Sequence, residues 1–353
     1  MENFFMIKFY VAIAFCFVTA SCSSFLKYNK IKSDFKTEEF DKKVKIIETE
    51  EVEETEEIDK NHKTIMPPAA VELTPAVKKK SVAVKVIKNN IKIIKAVQTP
   101  LKRQPELEDN EGFDNQRRPL IDPFKIGEKI THEVSYLGAG AATLTLAVKP
   151  YALVNEKKNY NFFIDIKTYS FFSRVYAVDD QFQTYLDYET LNPGAFKIDI
   201  KDSKQVKEAR AFFDYDNLKA NYWEHKYTEV NGHEEKKLNW TILPYSQNLV
   251  SAIFYMRVFK WTLGKECLFR VADDEKNVIF KAKALEKVIL KTEAGNFNAL
   301  KLRAEVVTRG NLSKARDFFI WLSDDDRKYI LRIEVELPVG SLVSEVVEIK
   351  AGL

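Results

Sequence analysis

Four histidines, three cysteines and the aspartate runs Asp179-Asp180 and Asp324–Asp326 are the residues of this sequence weighed for catalytic or metal-binding chemistry. His225 and His233 flank Asn231-Gly232. A hairpin turning on that dipeptide sets His233 at the turn and His225 about five residue pairs away, so at about 3.3 Å per residue roughly 15 Å would part them. That is too far to share one ion, and no metal site is expected. His62 lies in charged text without apolar periodicity, and His132 on the apolar face of a strand pattern. There a hydrogen-bonded core imidazole is favoured over a general base. Asp324-Asp325-Asp326 lacks the alternating oxygens, the glycine and the distal glutamate of a calcium loop, and reads as an Asp-rich turn. Asp179 and Asp180 are adjacent on a strand, so they point to opposite faces and form no dyad on one bond. Cys267, in Cys-Leu-Phe-Arg-Val, reads as a small buried hydrophobe.

No Gly-x-Ser-x-Gly elbow, Ser-x-x-Lys set, His-Glu-x-x-His or phosphate-cradling glycine loop occurs. The expectation is a protein that is not an enzyme and carries no cofactor. Aromatic residues remain, and they concentrate around one helical pattern and its neighbouring strands. Trp240, Phe254, Tyr255 and Trp321 are the candidates to line an apolar pocket, if they are not simply core. Arg257 would there meet an acidic head group or, equally, an internal carboxylate.

The N-terminus supplies an address. Lys8 precedes an apolar run from Phe9 to Val18, too short for a bilayer-spanning helix but of signal-peptide length. Thr19-Ala20-Ser21 then leads into Cys22, which resembles the bacterial lipobox. The resemblance implies cleavage between Ser21 and Cys22, acylation of Cys22, and a protein held to a membrane by that lipid. Ser23, rather than Asp, after the lipidated cysteine favours the periplasmic face of the outer membrane in a Gram-negative cell. Residues 1–21 are thus expected as a lipoprotein signal peptide. Cys267 is then a lone thiol, so no internal disulfide is expected.

Residues 22–118 read as a disordered, charged tether. Glu48–Asp59 is an acidic block, Met66–Pro75 is breaker-rich, and seven lysines punctuate Val and Ile between Lys78 and Lys95. This basic stretch is a solvated linker, a docking strip for anionic envelope polymer or lipid headgroups, or a partner for the acidic block. The net charge of +3 gives no argument for nucleic acid.

From residue 119 to 353 the pattern is strict alternation. Ile130, His132, Val134 and Tyr136 share a face, as do Phe196, Ile198 and Ile200, and Leu300, Leu302, Ala304 and Val306. Short turn signals at Asn192-Pro193-Gly194, Asn231-Gly232 and Asp324–Asp326 leave little room for crossover helices. The expected fold is all-β: a large curved antiparallel sheet or partly open β-barrel. One amphipathic helix over Ser246–Phe259 packs on it, with Ser246 as N-cap and Leu249, Val250, Ile253 and Phe254 inward. Ser170–Tyr176 is expected as a second short helical turn.

Residues 123–349 resemble the exported bacterial family labelled domain of unknown function 3108. The likeness is carried by Phe124–Glu128, Gly140–Leu144, Tyr176–Asp180, Asn248–Arg257, Gly295–Leu300 and, most specifically, Ile320–Arg327. It implies an exported all-β domain and no particular reaction. The reading that follows is a periplasm-facing envelope lipoprotein, a non-catalytic binding module for an apolar or amphipathic component such as a lipid. The alternative is a structural or assembly protein that contacts peptidoglycan, polysaccharide or a partner protein through tether and sheet. A third, a glycan-cleaving enzyme, would need paired carboxylates converging in a groove.

Overall fold

The computed structural model describes residues 38–47, 107–113, 117–273, 275–308, 318–337 and 340–353. A short helix α1 (Glu38–Lys43) and strand β1 (Val44–Ile46) come first. The long alternating stretch then forms β2 (Lys129–Tyr136), β3 (Ala139–Val154), β4 (Lys157–Thr168), β5 (Asp179–Asp187), β6 (Pro193–Lys201), β7 (Gln205–Asp214), β8 (Lys219–Thr228) and β9 (Gly232–Thr241). Helix α2 (Leu249–Tyr255) interrupts it, followed by β10 (Glu266–Asp273), β11 (Lys276–Thr292), β12 (Gly295–Thr308), β13 (Phe318–Ser323), β14 (Ile330–Glu336) and β15 (Ser341–Lys350).

All these strands join one antiparallel sheet, in the order β10-β11-β12-β13-β14-β15-β2-β3-β4-β5-β6-β7-β8-β9, with β1 added to β3. Strand follows neighbouring strand except where β15 returns to β2. A path this long must curl. It does so around the apolar faces read from the alternation, and Ile130, Leu146, Phe162, Ile164, Ile198 and Leu302 are all buried.

The sheet does not close on itself. Its terminal strands β9 and β10 are bridged by the segment that runs from β9 into α2. Gln247 makes a parallel bridge to Val271, donating to Arg270 O at 2.8 Å and accepting from Ala272 N at 2.8 Å. Asn277 accepts from Leu243 N and donates to Thr241 O, both at 3.1 Å. Ala220, Ile242 and Ala272 form a small apolar seam beneath.

Helix α2 lies inside the curl. Asn248, not Ser246, is its N-cap: Ser251 N donates to Asn248 Oδ1 at 2.8 Å, and Asn248 N donates to Ser251 Oγ at 2.9 Å. Ser246 is engaged elsewhere, donating to Leu243 O. Six of the seven helical residues are buried, so the helix is enclosed on all sides rather than amphipathic. A 3-10 turn (Met256–Val258) continues it, and another (Phe172–Arg174) lies in the β4–β5 connection where a helical turn was expected.

Two pieces of the stretch read as tether are built onto the sheet. Val44 pairs with Val154 and Ile46 with Ala152, covering the part of β3 that β2 leaves unpaired. Phe40 sits in a small cluster on the outer face with Val154, Tyr185 and Phe212, its ring 5.2 Å from that of Phe212. Residues 107–113 and 117–118 also pack on the domain, with Glu108 and Arg117 wholly buried. Apolar residues spaced through charged text, such as Phe40 and Val44, were masked by the composition around them. The calls on Cys22, the signal peptide and Lys78–Lys95 lie outside the described residues. Phe40→Ala is expected to cost about 3 kcal/mol, the low end for a buried phenylalanine. It would read out as a lower urea midpoint at unchanged slope; an unchanged midpoint would show that the strap carries no stability.

Candidate functional site

The connections alternate between the two ends of the curled sheet. At one end the β5–β6 and β13–β14 turns, the start of β2 and the end of α2 meet in two buried ionic knots. Arg257, fully buried, donates to both oxygens of Glu128 at 2.6 and 3.1 Å, to Arg327 O at 2.9 Å and to Pro123 O at 3.3 Å. Arg327 adds a second cation to the same Glu128 carboxylate at 2.5 Å. Arg117 donates to Glu108 at 2.9 Å, to Thr190 O at 2.6 Å and to the hydroxyl of Tyr255 at 2.8 Å, and Tyr255 in turn donates to Glu108 at 2.9 Å. Every nitrogen of both guanidinium groups is engaged, as burial of that charge requires. This end is sealed.

Towards the other end the interior holds a cavity of about 310 Å³. Leu249, Ala252 and Ile253 of α2 and Met256 of the turn that continues it, spaced i, i+3, i+4 and i+7, form one wall. Leu146, Ile164, Phe182, Phe196, Ile198, Tyr222, Leu238 and Trp240 from the strands form the rest. The register makes the polarity change along the strands. On the inner face of β8 and β9, Ala220 pairs with Trp240, Tyr222 with Leu238, Glu224 with Lys236 and Lys226 with Glu234. The start of β5, the turn after β6 and the start of β7 bring Asp180, Asp202, Gln205 and Lys207 to the same level. An apolar chamber therefore ends in a ring of charge.

Within that ring Lys207 and Glu224 pair at 2.9 Å. Burial alone would raise the Glu224 carboxyl, but the Lys207 ammonium and the Tyr222 hydroxyl that donates to it hold it below the ordinary range. Asp180 goes the other way. Burial, and then the Asp202 carboxylate, push it up to about 8, although Lys201 N donates to it at 3.0 Å. Asp202 accepts from Lys204 N at 2.7 Å and from the Gln205 side chain at 3.0 Å. Asp179 faces outward toward Lys167 at 3.6 Å, as strand alternation requires.

Of the five pocket candidates Trp240, Phe254, Tyr255, Arg257 and Trp321, Trp240 alone lines the cavity. Its indole N–H is buried without a hydrogen-bond partner. Phe254 stacks on Phe162 with ring centroids 4.3 Å apart, on the far side of the helix. Tyr255 and Arg257 belong to the sealed end, so the carboxylate that Arg257 meets is Glu128. Trp321 lies on the outer face of β13, between Lys301 and Arg332, each about 5.2 Å from its ring.

The histidines separate. His132 is a core residue: Nε2 lies 2.9 Å from Ile330 O and Nδ1 3.1 Å from Ser344 Oγ, so Nε2 donates to the carbonyl and Nδ1 accepts from the hydroxyl. Burial depresses it to about 4, and it stays neutral. His225 and His233 contradict the roughly 15 Å expected from the sequence, since their ring nitrogens lie 3.1 Å apart and the rings stack. The hairpin does not turn on Asn231-Gly232. Thr228 pairs with Gly232 and Tyr227 with His233, an odd slip of register that brings His233 to the face of His225. Among the described residues no group of three or more histidine, cysteine or carboxylate side chains is placed to hold a metal ion. Asp325 caps its own turn, accepting from Arg327 N and Lys328 N at 2.9 Å. Cys267 is buried.

A family model described as protein of unknown function (DUF3108) matches residues 131–347, more than half of the chain. No curated protein sequence is detectably similar. Among solved structures, a β-barrel-like protein of domain of unknown function DUF1849 from Brucella abortus aligns at 8% identity and a TM-score of 0.41, covering 64% of this chain and 98% of that one. A candidate lipoprotein from Parabacteroides distasonis aligns at 11% identity and a TM-score of 0.29, covering 64% and 95%. A candidate exported protein with a YmcC-like fold from Bacteroides fragilis aligns at 11% and 0.29, covering 65% and 97%.

Removing one partner of the sealed end, as in Arg257→Ala, leaves Glu128 buried beside a void. It is expected to cost about 3–5 kcal/mol in chemical unfolding, and a loss under 1 kcal/mol would contradict the geometry. Asp180 gives a pH signature. Its folded value of about 8 lies above the unfolded value near 3.9, so its stabilising contribution is full below the latter and is lost as pH rises toward 8. The urea midpoint should therefore fall between pH 5 and 8 more steeply in the parent protein than in Asp180→Asn; parallel pH profiles would refute the raised value.

Proposed function

The chain belongs to the family described as protein of unknown function (DUF3108), and we propose that it is a non-catalytic binding module whose curled sheet holds the apolar part of an amphipathic molecule of the cell envelope. The observation that carries this reading is the polarity gradient of the chamber: an apolar interior of about 310 Å³ that ends in a ring of charge at one end only. Ligand cavities run from about 300 to 1,000 Å³, so this one suits a short or single acyl chain. The tail would lie against Leu146, Ile164, Phe182 and α2, with the head among Lys207, Glu224 and Lys236. The unpartnered indole N–H of Trp240 offers a donor to an oxygen of the guest.

The proposal extends to location. Cys22 after Thr19-Ala20-Ser21 is read as a lipidated N-terminus that keeps the domain at the periplasmic face of a membrane. The convergence of Asp180 and Asp202 is the one feature that a glycan-cleaving reading would need. Their location supports the binding reading better: Asp202 is committed to its own turn, and Asp180 has a backbone donor in Lys201.

A fluorescent single-chain fatty acid is expected to bind in the micromolar range or tighter and to be displaced by a lysophospholipid. Ala211→Phe, which fills the wall beside Phe196 and Tyr222, should weaken it at least tenfold, equivalent to about 1.4 kcal/mol. Equal binding by Ala211→Phe and parent, with both folded by circular dichroism, would sink the chamber as the site.

A further inference from the structure

The loops around the charged ring leave apolar side chains in water. In the β4–β5 connection Phe171 is 70% exposed, Val175 67% and Tyr169 37%; in the adjoining β2–β3 turn Leu137 is 64% exposed. These loops have fixed positions. Tyr169 N donates to Ala141 O at 2.9 Å, which ties the β4–β5 loop to the β2–β3 hairpin. Ser203 N donates to Ala177 O at 3.0 Å, and Ser203 Oγ accepts from Ala177 N at 2.7 Å, which ties it to the β6–β7 turn. Val175 also lines the chamber, so the exposed patch and the chamber wall are one continuous apolar surface.

Charges of both signs flank this patch. Arg174 stands between Phe171 and Val175, and Lys201 and Lys204 lie on the β6–β7 side; all three are exposed. The nearby carboxyls are each engaged: Glu133 accepts from the Tyr169 hydroxyl at 3.2 Å, Asp179 pairs with Lys167 at 3.6 Å, Asp202 accepts from its own turn, and Asp180 is pushed toward neutrality. Apolar side chains at the tip of a firm rim, flanked by cations, are what an interfacial segment presents to anionic lipid headgroups.

We propose that this rim docks on an anionic lipid bilayer, inserting Phe171 and Val175 between headgroups so that the mouth of the chamber faces the membrane. The docking needs no occupant in the chamber, so it stands or falls apart from the binding reading.

The test uses the full-length chain with a tryptophan reporter, Phe171→Trp, and a control beside the sealed end, Leu120→Trp, which replaces a side chain 70% exposed three residues from Arg117. Each is mixed with vesicles of phosphatidylcholine and phosphatidylglycerol, plain or with brominated acyl chains, and the parent fluorescence is subtracted. The Phe171→Trp emission is expected to move to the blue and to be quenched by bromines lying about 5–10 Å deep, while Leu120→Trp stays unquenched. Arg174→Glu with Lys204→Glu in the reporter background should abolish the quenching, as should phosphatidylcholine alone. Quenching at neither site, or equally at both, would overturn the proposal. So would a blue shift of Phe171→Trp that grows with protein concentration without vesicles, since the rim would then be covered by a second copy of the chain.

Discussion

A guanidinium can be buried only where its donors all find acceptors, and this fold is arranged around two that are. Arg117 and Arg257 are both at 0% exposure and both saturated, and both reach the end of α2: one through the Tyr255 hydroxyl, the other from the residue two further on. Helix α2 is only seven residues long and could not hold its place by length or propensity. Its C-terminal end is fixed by Glu108 and Glu128, acids from segments far away in sequence, and its N-terminal end by the Asn248–Ser251 capping box and the bond from Asn248 to Thr184. Such knots add little net stability over an apolar substitute, but they penalise every arrangement in which one partner is missing.

That placement decides what the sheet can contain. A path of strands that curls without pairing its two terminal members leaves an interior that side chains alone do not fill. With α2 drawn to the sealed end, the helix presents Phe254 to that end and Leu249, Ala252, Ile253 and Met256 to the other, so the unfilled volume is confined to one side. The gradient along β8 and β9 follows from the same geometry, because inner-face residues deep in the curl meet α2 whereas those near the strand ends meet water. Lys236 and Glu224 can be charged there because solvent and each other are within reach; Trp240 and Leu238, two and one cross-strand steps deeper, cannot be replaced by charge at similar cost.

Strands were legible because period-two alternation is a local property. Ile130, His132 and Val134 share a buried face as the text suggests, and the uncharged helix after Pro244 is where its pattern lies. What depends on register was not legible. The His225–His233 contact turns on whether a hairpin closes at Asn231-Gly232 or at Thr228 and Gly232, and an odd slip between the two changes every facing pair. The partner of Asp180 is Asp202, two turns away, and that of Arg257 is Glu128, across the whole curl; neither distance is written in local composition. The helix misled for a related reason. Its apolar residues occupy the whole circumference because it is enclosed, so choosing one apolar face picked Phe254 for the site and passed over Ala252 and Met256. The aromatic cluster was real, but most of it fills the sealed end.

The rim gathers Phe171, Val175 and Leu137 in solvent within adjoining loops. On the outer face, by contrast, Trp321 is covered by Lys301 and Arg332, and Phe40 by Tyr185 and Phe212. Leaving a side chain the size of Phe171 or Val175 in water forfeits about 1.5–3 kcal/mol relative to burial. The backbone bonds through Tyr169, Ala177 and Ser203 spend structure on holding that loop outward rather than letting it fold over the mouth. A loop that lay across the chamber would bury Phe171 and gain that free energy, but it would also cover the apolar route inward that Val175 marks. The exposure is therefore tied to the chamber: the same fixed geometry that keeps the mouth open keeps its aromatic lip in solvent until an apolar phase covers it.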